Sequence, residues 1–262
     1  MGALNWIEKA KISIKGSIDL RKADHAWEEE NRNDYLLMKN LNRELRKFHV
    51  RLRMERYEDS PFSENDTAVI PIILKYVGLC EKKHNKAHLL TTLRSPRFYE
   101  VVPHLIDFYK KILADYHLPE DEMVLLSVCE TIEKIGSDRY IDQYIDLLHA
   151  TITPSAECLI RLLCKMPRSP QIDACIFSLV EKENKIPEAW VGRPNETDKY
   201  WCSQVALSCI VETKTSSTAY LEQFLTPQKL PWIHFTESKY CKYNYLECYK
   251  SYIKIASEYM DK

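Results

Sequence analysis

Glycine is scarce in this chain, with five residues in 262. So little of the one residue that takes positive φ freely leaves no basis for the many tight turns of an all-β fold. It also argues against a glycine-rich phosphate cradle, and neither GxGxxG nor GxxxxGK followed by Ser or Thr occurs. Long apolar runs are missing too. No stretch approaches the ~18 apolar residues a bilayer span requires, so no membrane partner is expected. The nine cysteines are an odd number and include no CxxC pair, which removes the usual zinc-ribbon and disulfide patterns and points to a reduced, cytoplasmic setting. Met1 to Trp6 has no basic stretch leading into an apolar one, so no secretory signal is expected. Charge of one sign is absent as well. A formal charge of −1 argues against a whole-protein electrostatic grip on nucleic acid or anionic lipid.

What is present is a recurring pattern: an apolar pair, a Pro or an acid at its edge, then apolar positions on one helical stripe. It reads Ile70-Pro71-x-Ile73-Leu74, Val102-Pro103-x-Leu105-Ile106, Ile141-Asp142-x-Tyr144-Ile145 and Ile172-Asp173-x-Cys175-Ile176, with a looser copy at Leu221-Glu222-x-Phe224-Leu225. The anchors lie 32, 39, 31 and 49 residues apart, periods that mark stacked supersecondary units. Around them the apolar residues recur with helical period. Phe98, Val101, Val102, Leu105, Tyr109 and Ile112 share one stripe, and Leu125, Val128, Cys129, Ile132 and Ile135 share another that stops at Gly136. Ser63, Ser95 and Ser137 read as helix N-caps, Ser63 with Asp66 as a capping box. Pro71 and Pro103 then fall inside helices. There each costs roughly 3 kcal/mol, offset by about five inward apolar side chains worth ~1.5–3 kcal/mol apiece, and a bend is expected.

Nothing alternates with period two, so the fold class is all-α. The arrangement expected is a right-handed α-solenoid of about five helix pairs over residues 61–262, with residues 1–60 as a charged N-terminal helical segment packed on it. That segment carries Leu36, Leu37, Leu41, Leu45 and Phe48 as an apolar series. In its paired helices and its first-helix prolines the chain resembles HEAT-repeat proteins over about residues 63–225. The resemblance implies a long binding surface with no built-in chemistry, its second helices lining a concave face. Here those helices are mixed in charge: Lys82, Lys83, Lys86, Arg94 and Arg97, then Glu120, Asp121 and Glu122, then Arg161, Lys165 and Arg168.

Four candidate sites stand out. Arg43, Arg46, Lys47, Arg51, Arg53 and Arg56 form the densest basic cluster, with Glu44 and Glu55 as the only acids from 43 to 56, and could grip phosphates or an acidic protein surface. Residues 184–196 read as a loop inserted into the repeat series, where Trp190 is a candidate hot-spot anchor; Trp232 is a second, in another Pro-bearing loop. Cys80, His84 and His88 are spaced i, i+4, i+8, and a continuous helix would align them as metal ligands, although no fourth ligand is evident. Cys202 and Cys209, like Cys241 and Cys248, are seven residues apart on apolar stripes and read as core thiols.

The function expected is therefore non-enzymatic: an adaptor, scaffold or immunity-type protein that engages a protein or peptide and needs no cofactor. Two alternatives belong to other classes. Some HEAT-like proteins are alkylpurine DNA glycosylases, working through an acid and aromatics on a basic concave surface, and their catalytic residues find no one-by-one match here. A metal-dependent helical enzyme would rest on Cys80, His84 and His88.

Overall fold

The structure is a computed structural model that describes residues 32–53, 55–63, 65–180, 182–186 and 201–212. Among the described residues there are nine α-helices and no strand: α1 (Arg32–Glu44), α2 (Val69–Leu79), α3 (Lys83–Thr91), α4 (Val102–Ala114), α5 (Pro119–Ile135), α6 (Ile141–His149), α7 (Glu157–Lys165), α8 (Pro170–Leu179) and α9 (Trp201–Glu212). No helix among them is long and apolar enough to cross a membrane. Copy five of the pattern, at Leu221–Leu225, lies outside the described residues, as do Trp190, Trp232, Cys241 and Cys248.

Consecutive helices pack as pairs: α2 on α3, α4 on α5, α6 on α7 and α8 on α9. The second members also pack on one another in series, α3 on α5, α5 on α7 and α7 on α9. Helix α5 is central to this row. It buries Val124, Leu125, Val128, Cys129, Ile132 and Ile135, together worth on the order of 10 kcal/mol before chain entropy is subtracted. Gly136 ends it at φ 64°, the left-handed conformation a glycine takes without steric cost, with its N–H on the Ile132 carbonyl at 3.0 Å.

The repeat pattern has a different local meaning from the bent interior helix expected. Pro71 is the third residue of α2 and Pro103 the second of α4; Asp142 is the second residue of α6 and Asp173 the fourth of α8. All four occupy a first turn. Proline costs little there because the N–H it lacks would have no carbonyl partner, and aspartate is favoured there by the positive end of the helix dipole. One position therefore accepts either residue. The break comes before it. Ser95 caps a 3-10 segment, Pro96–Val101, in which Phe98 leaves helical geometry (φ −90°, ψ 28°), and α4 starts only at Val102. Ser137 likewise caps a 3-10 turn, Asp138–Tyr140, ahead of α6. Ser63 and Asp66 exchange hydrogen bonds in a turn upstream of α2, whose own N-cap is Ala68.

Candidate functional site

Asp34 on α1 is almost fully buried and accepts from Glu81 N at 2.8 Å, Lys82 N at 3.0 Å and Asn85 Nδ2 at 2.8 Å. One carboxylate thereby fastens α1 to the start of α3. With Asp34, Met38, Leu41 and Leu45 turned inward at i, i+4, i+7 and i+11, the neighbouring face carries Tyr35, Lys39, Asn42, Arg43 and Arg46.

After α1 a 3-10 turn, Leu45–Phe48, closes at His49, whose left-handed φ of 56° reverses the chain. The segment Val50–Arg53 returns beside α1, where Asn42 holds it by two hydrogen bonds: Leu52 N donates to Oδ1 at 2.7 Å, and Nδ2 donates to the Leu52 carbonyl at 3.0 Å. A groove of about 820 Å³ lies between them. Its α1 side carries Tyr35, Met38, Lys39, Asn42, Arg43 and Arg46, and its other side Val50, Arg51, Leu52 and Arg53. Five of these residues are cationic and none is acidic. Lys39, Arg43, Arg46, Arg51 and Arg53 are all exposed. None of them makes an ion pair among the described residues. The nearest acid in sequence, Glu44, instead accepts from Lys75 Nζ at 2.7 Å and Tyr76 Oη at 2.8 Å on α2. Those hydrogen bonds hold its carboxyl below the usual glutamate range.

The structure divides the predicted basic cluster. Arg43, Arg46, Arg51 and Arg53 come together in the groove, and Lys39 joins them. Lys39 was missed because it lies outside the dense 43–56 run; its spacing one turn before Arg43 was the available signal. Lys47 does not line the groove and instead lies 5.0 Å from the ring centroid of Phe48. Arg56 leaves the cluster altogether, pairing with Glu130 of α5.

Comparison with known protein families, curated proteins and solved structures finds no match to this chain.

The groove must therefore be judged on its own chemistry and against the rest of the surface. The second-helix row, expected to offer a mixed-charge lining, spends much of that charge on itself. Lys83 pairs with Asp121, Arg94 with Glu130, and Arg161 and Lys165 both with Glu133. Burial alone would raise Glu133, but the hydrogen bonds from Arg161 and Lys165 outweigh it and hold the carboxyl low. The chain's own segment from Arg56 to Ser60 also crosses this row. Arg94 donates to the Tyr57 carbonyl at 2.9 Å, Ser60 Oγ to the Thr92 carbonyl at 2.7 Å, and Lys134 Nζ to Asp59 at 3.2 Å.

The metal alternative loses its geometry. Helix α2 continues through Gly78 to Leu79, and α3 begins at Lys83, so no continuous helix aligns Cys80 with His84 and His88. Burial pushes the Cys80 thiol up to about 12, away from the thiolate a metal requires. His84 and His88 stand edge to face, with ring centroids 6.2 Å apart. Burial, followed by the nearby charges of His84 and Arg56, lowers the His88 imidazole. Among the described residues no three His, Cys, Asp or Glu side chains are grouped to hold a metal.

Glu122 was read only as part of the mixed charge of the second helices, yet on α5 it is nearly buried against the turn before α7. It accepts from Tyr116 Oη at 2.7 Å and Ser155 N at 2.6 Å. Burial raises its carboxyl above the usual range. This carboxylate joins two consecutive helix pairs. Cys202 and Cys209 are buried in α9, as core thiols should be.

Proposed function

We propose that this chain is a non-enzymatic, HEAT-like α-solenoid of helix pairs, acting in the cytoplasm as an adaptor, scaffold or inhibitor, and that it engages a protein partner. The serial packing of helix pairs supports the architecture. One observation carries the binding site: among the described residues, five exposed cations share a groove with no lining carboxylate and make no ion pair, while the charges of the second-helix row are largely paired within the stack. Unpaired guanidinium groups on one surface attract and orient an acidic partner, and arginine is the cation most favoured at protein interfaces. The partner-facing residues are accordingly Lys39, Arg43, Arg46, Arg51 and Arg53.

The test is affinity capture from the native host with wild type and an Arg51→Glu/Arg53→Glu variant in parallel. A partner recovered by wild type and lost by the variant, with circular dichroism unchanged, supports this site. Recovery of the same partners by both proteins places the interface elsewhere.

A further inference from the structure

We infer that the groove between α1 and Val50–Arg53 receives an extended, contiguous run of acidic residues from the partner. This inference rests on the protein-binding reading and names the chemistry recognised. The two walls of the groove are two rails of positive charge. On α1, Lys39 and Arg43 are one turn apart, about 6 Å along the axis, and Arg46 follows them in the 3-10 turn after α1. On the opposite wall, Arg51 and Arg53 are exposed on either side of buried Leu52, the alternation of an extended segment, in which residues i and i+2 stand about 6.6 Å apart.

An extended peptide lying between them places every second side chain about 6.6–7 Å apart, alternately to one side and the other. Consecutive acids would then meet both rails at once. An acidic helix offers a comparable repeat on a single face, leaving one rail unpaired. Met38, Val50 and Leu52 give the groove apolar lining in addition, suited to the backbone and β-carbons of such a peptide. A single-stranded nucleic acid has a similar charge spacing but relies on aromatic platforms for its bases, and among the described residues Tyr35 is the only aromatic that lines the groove. The net charge of −1 over the whole chain also favours a local peptide contact over a long polyanion.

The experiment is fluorescence anisotropy on the full chain with three labelled probes: hexaglutamate, a peptide with the same six glutamates separated by Gly-Ser pairs, and hexathymidylate. The expected result is that hexaglutamate binds at least about tenfold more tightly than the spaced peptide. Arg51→Glu/Arg53→Glu and Lys39→Glu/Arg43→Glu should each weaken it by at least about tenfold, since each reverses one rail. Equal binding of the contiguous and spaced peptides overturns the inference, because charge alone would then suffice. Tighter binding of hexathymidylate overturns it in favour of nucleic acid. If partner capture depends on Arg51 and Arg53 but the peptides are not distinguished, this inference falls and the protein-binding reading stands. If capture is independent of the groove, the reading itself falls.

Discussion

The side chain of Asn42 pairs with the backbone of Leu52 as a neighbouring strand would, accepting from its N–H at 2.7 Å and donating to its carbonyl at 3.0 Å. Among the described residues no strand lies beside Val50–Arg53; the Asn42 amide holds this wall of the groove at Leu52, and Arg53 N donates to Tyr57 Oη at 2.9 Å beyond it. Asn42→Ala should leave both backbone groups of Leu52 without their partner and cost about 1–3 kcal/mol. Faster hydrogen exchange at the Leu52 amide, together with weaker binding of acidic peptide, is the expected signature. An unchanged exchange rate would show that other contacts hold the wall.

Glu130 takes both Arg94 and Arg56, and Arg94 is only 5% exposed in its side chain. Burial lowers the Arg94 guanidinium, with Glu130 as the counter-charge that keeps it favourable. Glu130→Gln should therefore destabilise the fold by roughly 2–4 kcal/mol, below the upper end for a fully buried pair because Glu130 retains solvent access. Urea denaturation checks this. An Arg56→Gln variant, which removes only the exposed partner, should change stability by less than about 1 kcal/mol.

Two glutamates should give opposite pH dependence. The lowered carboxyl of Glu133 contributes stability that is present above the unfolded-state value of about 4.3 and is lost as pH falls through its lower folded value. The raised carboxyl of Glu122 contributes stability that is present below that unfolded value and is lost as pH rises through its higher folded value. Measured against Glu133→Gln, wild type should gain stability on going from acid to neutral pH. Measured against Glu122→Gln, it should lose stability over a rise from about pH 4 toward neutrality. Denaturation midpoints of the three proteins across this range decide both signs.

Pro103 should behave as a helix-start residue. Its replacement by alanine removes φ preorganisation and costs no more than about 1 kcal/mol, whereas relief of an interior proline would stabilise the helix by about 3 kcal/mol. Thermal unfolding of Pro103→Ala distinguishes the two, and a large rise in Tm would contradict its first-turn placement.

Gly136 holds φ 64° at the end of α5, and a β-carbon there would meet only the Glu133 carbonyl oxygen, at 3.7 Å, and the Lys134 carbonyl oxygen, at 4.0 Å. Space is adequate, so the cost of Gly136→Ala is conformational, about 1–2 kcal/mol. Gly136→Asn, which tolerates this region better, should recover part of it in the same denaturation assay.

Local pattern was enough to establish the helical class, and the reason is periodicity. Val102, Leu105 and Tyr109 recur every third or fourth residue and are all buried where that period places them. It also marked Gly136 as the stop of α5, since capping chemistry acts within a few residues. Composition already pointed to the stretch rich in arginine. Local pattern failed where two helix types share a stripe: Phe98 and Val101 keep the apolar phase of α4 while the backbone between them leaves α-helical geometry, so Pro103 looked internal. Tertiary structure alone decided which cations find an acid among the described residues. Arg56 and Arg94 are drawn to Glu130, many residues distant in the chain, whereas Lys39, Arg43, Arg46, Arg51 and Arg53 meet across a turn closed by His49 and held by Asn42. Periodicity reports which face of a helix avoids water. Whether a charge on the other face finds a counter-ion depends on chain reversal and helix packing, which bring distant residues together and leave no periodic trace in the sequence.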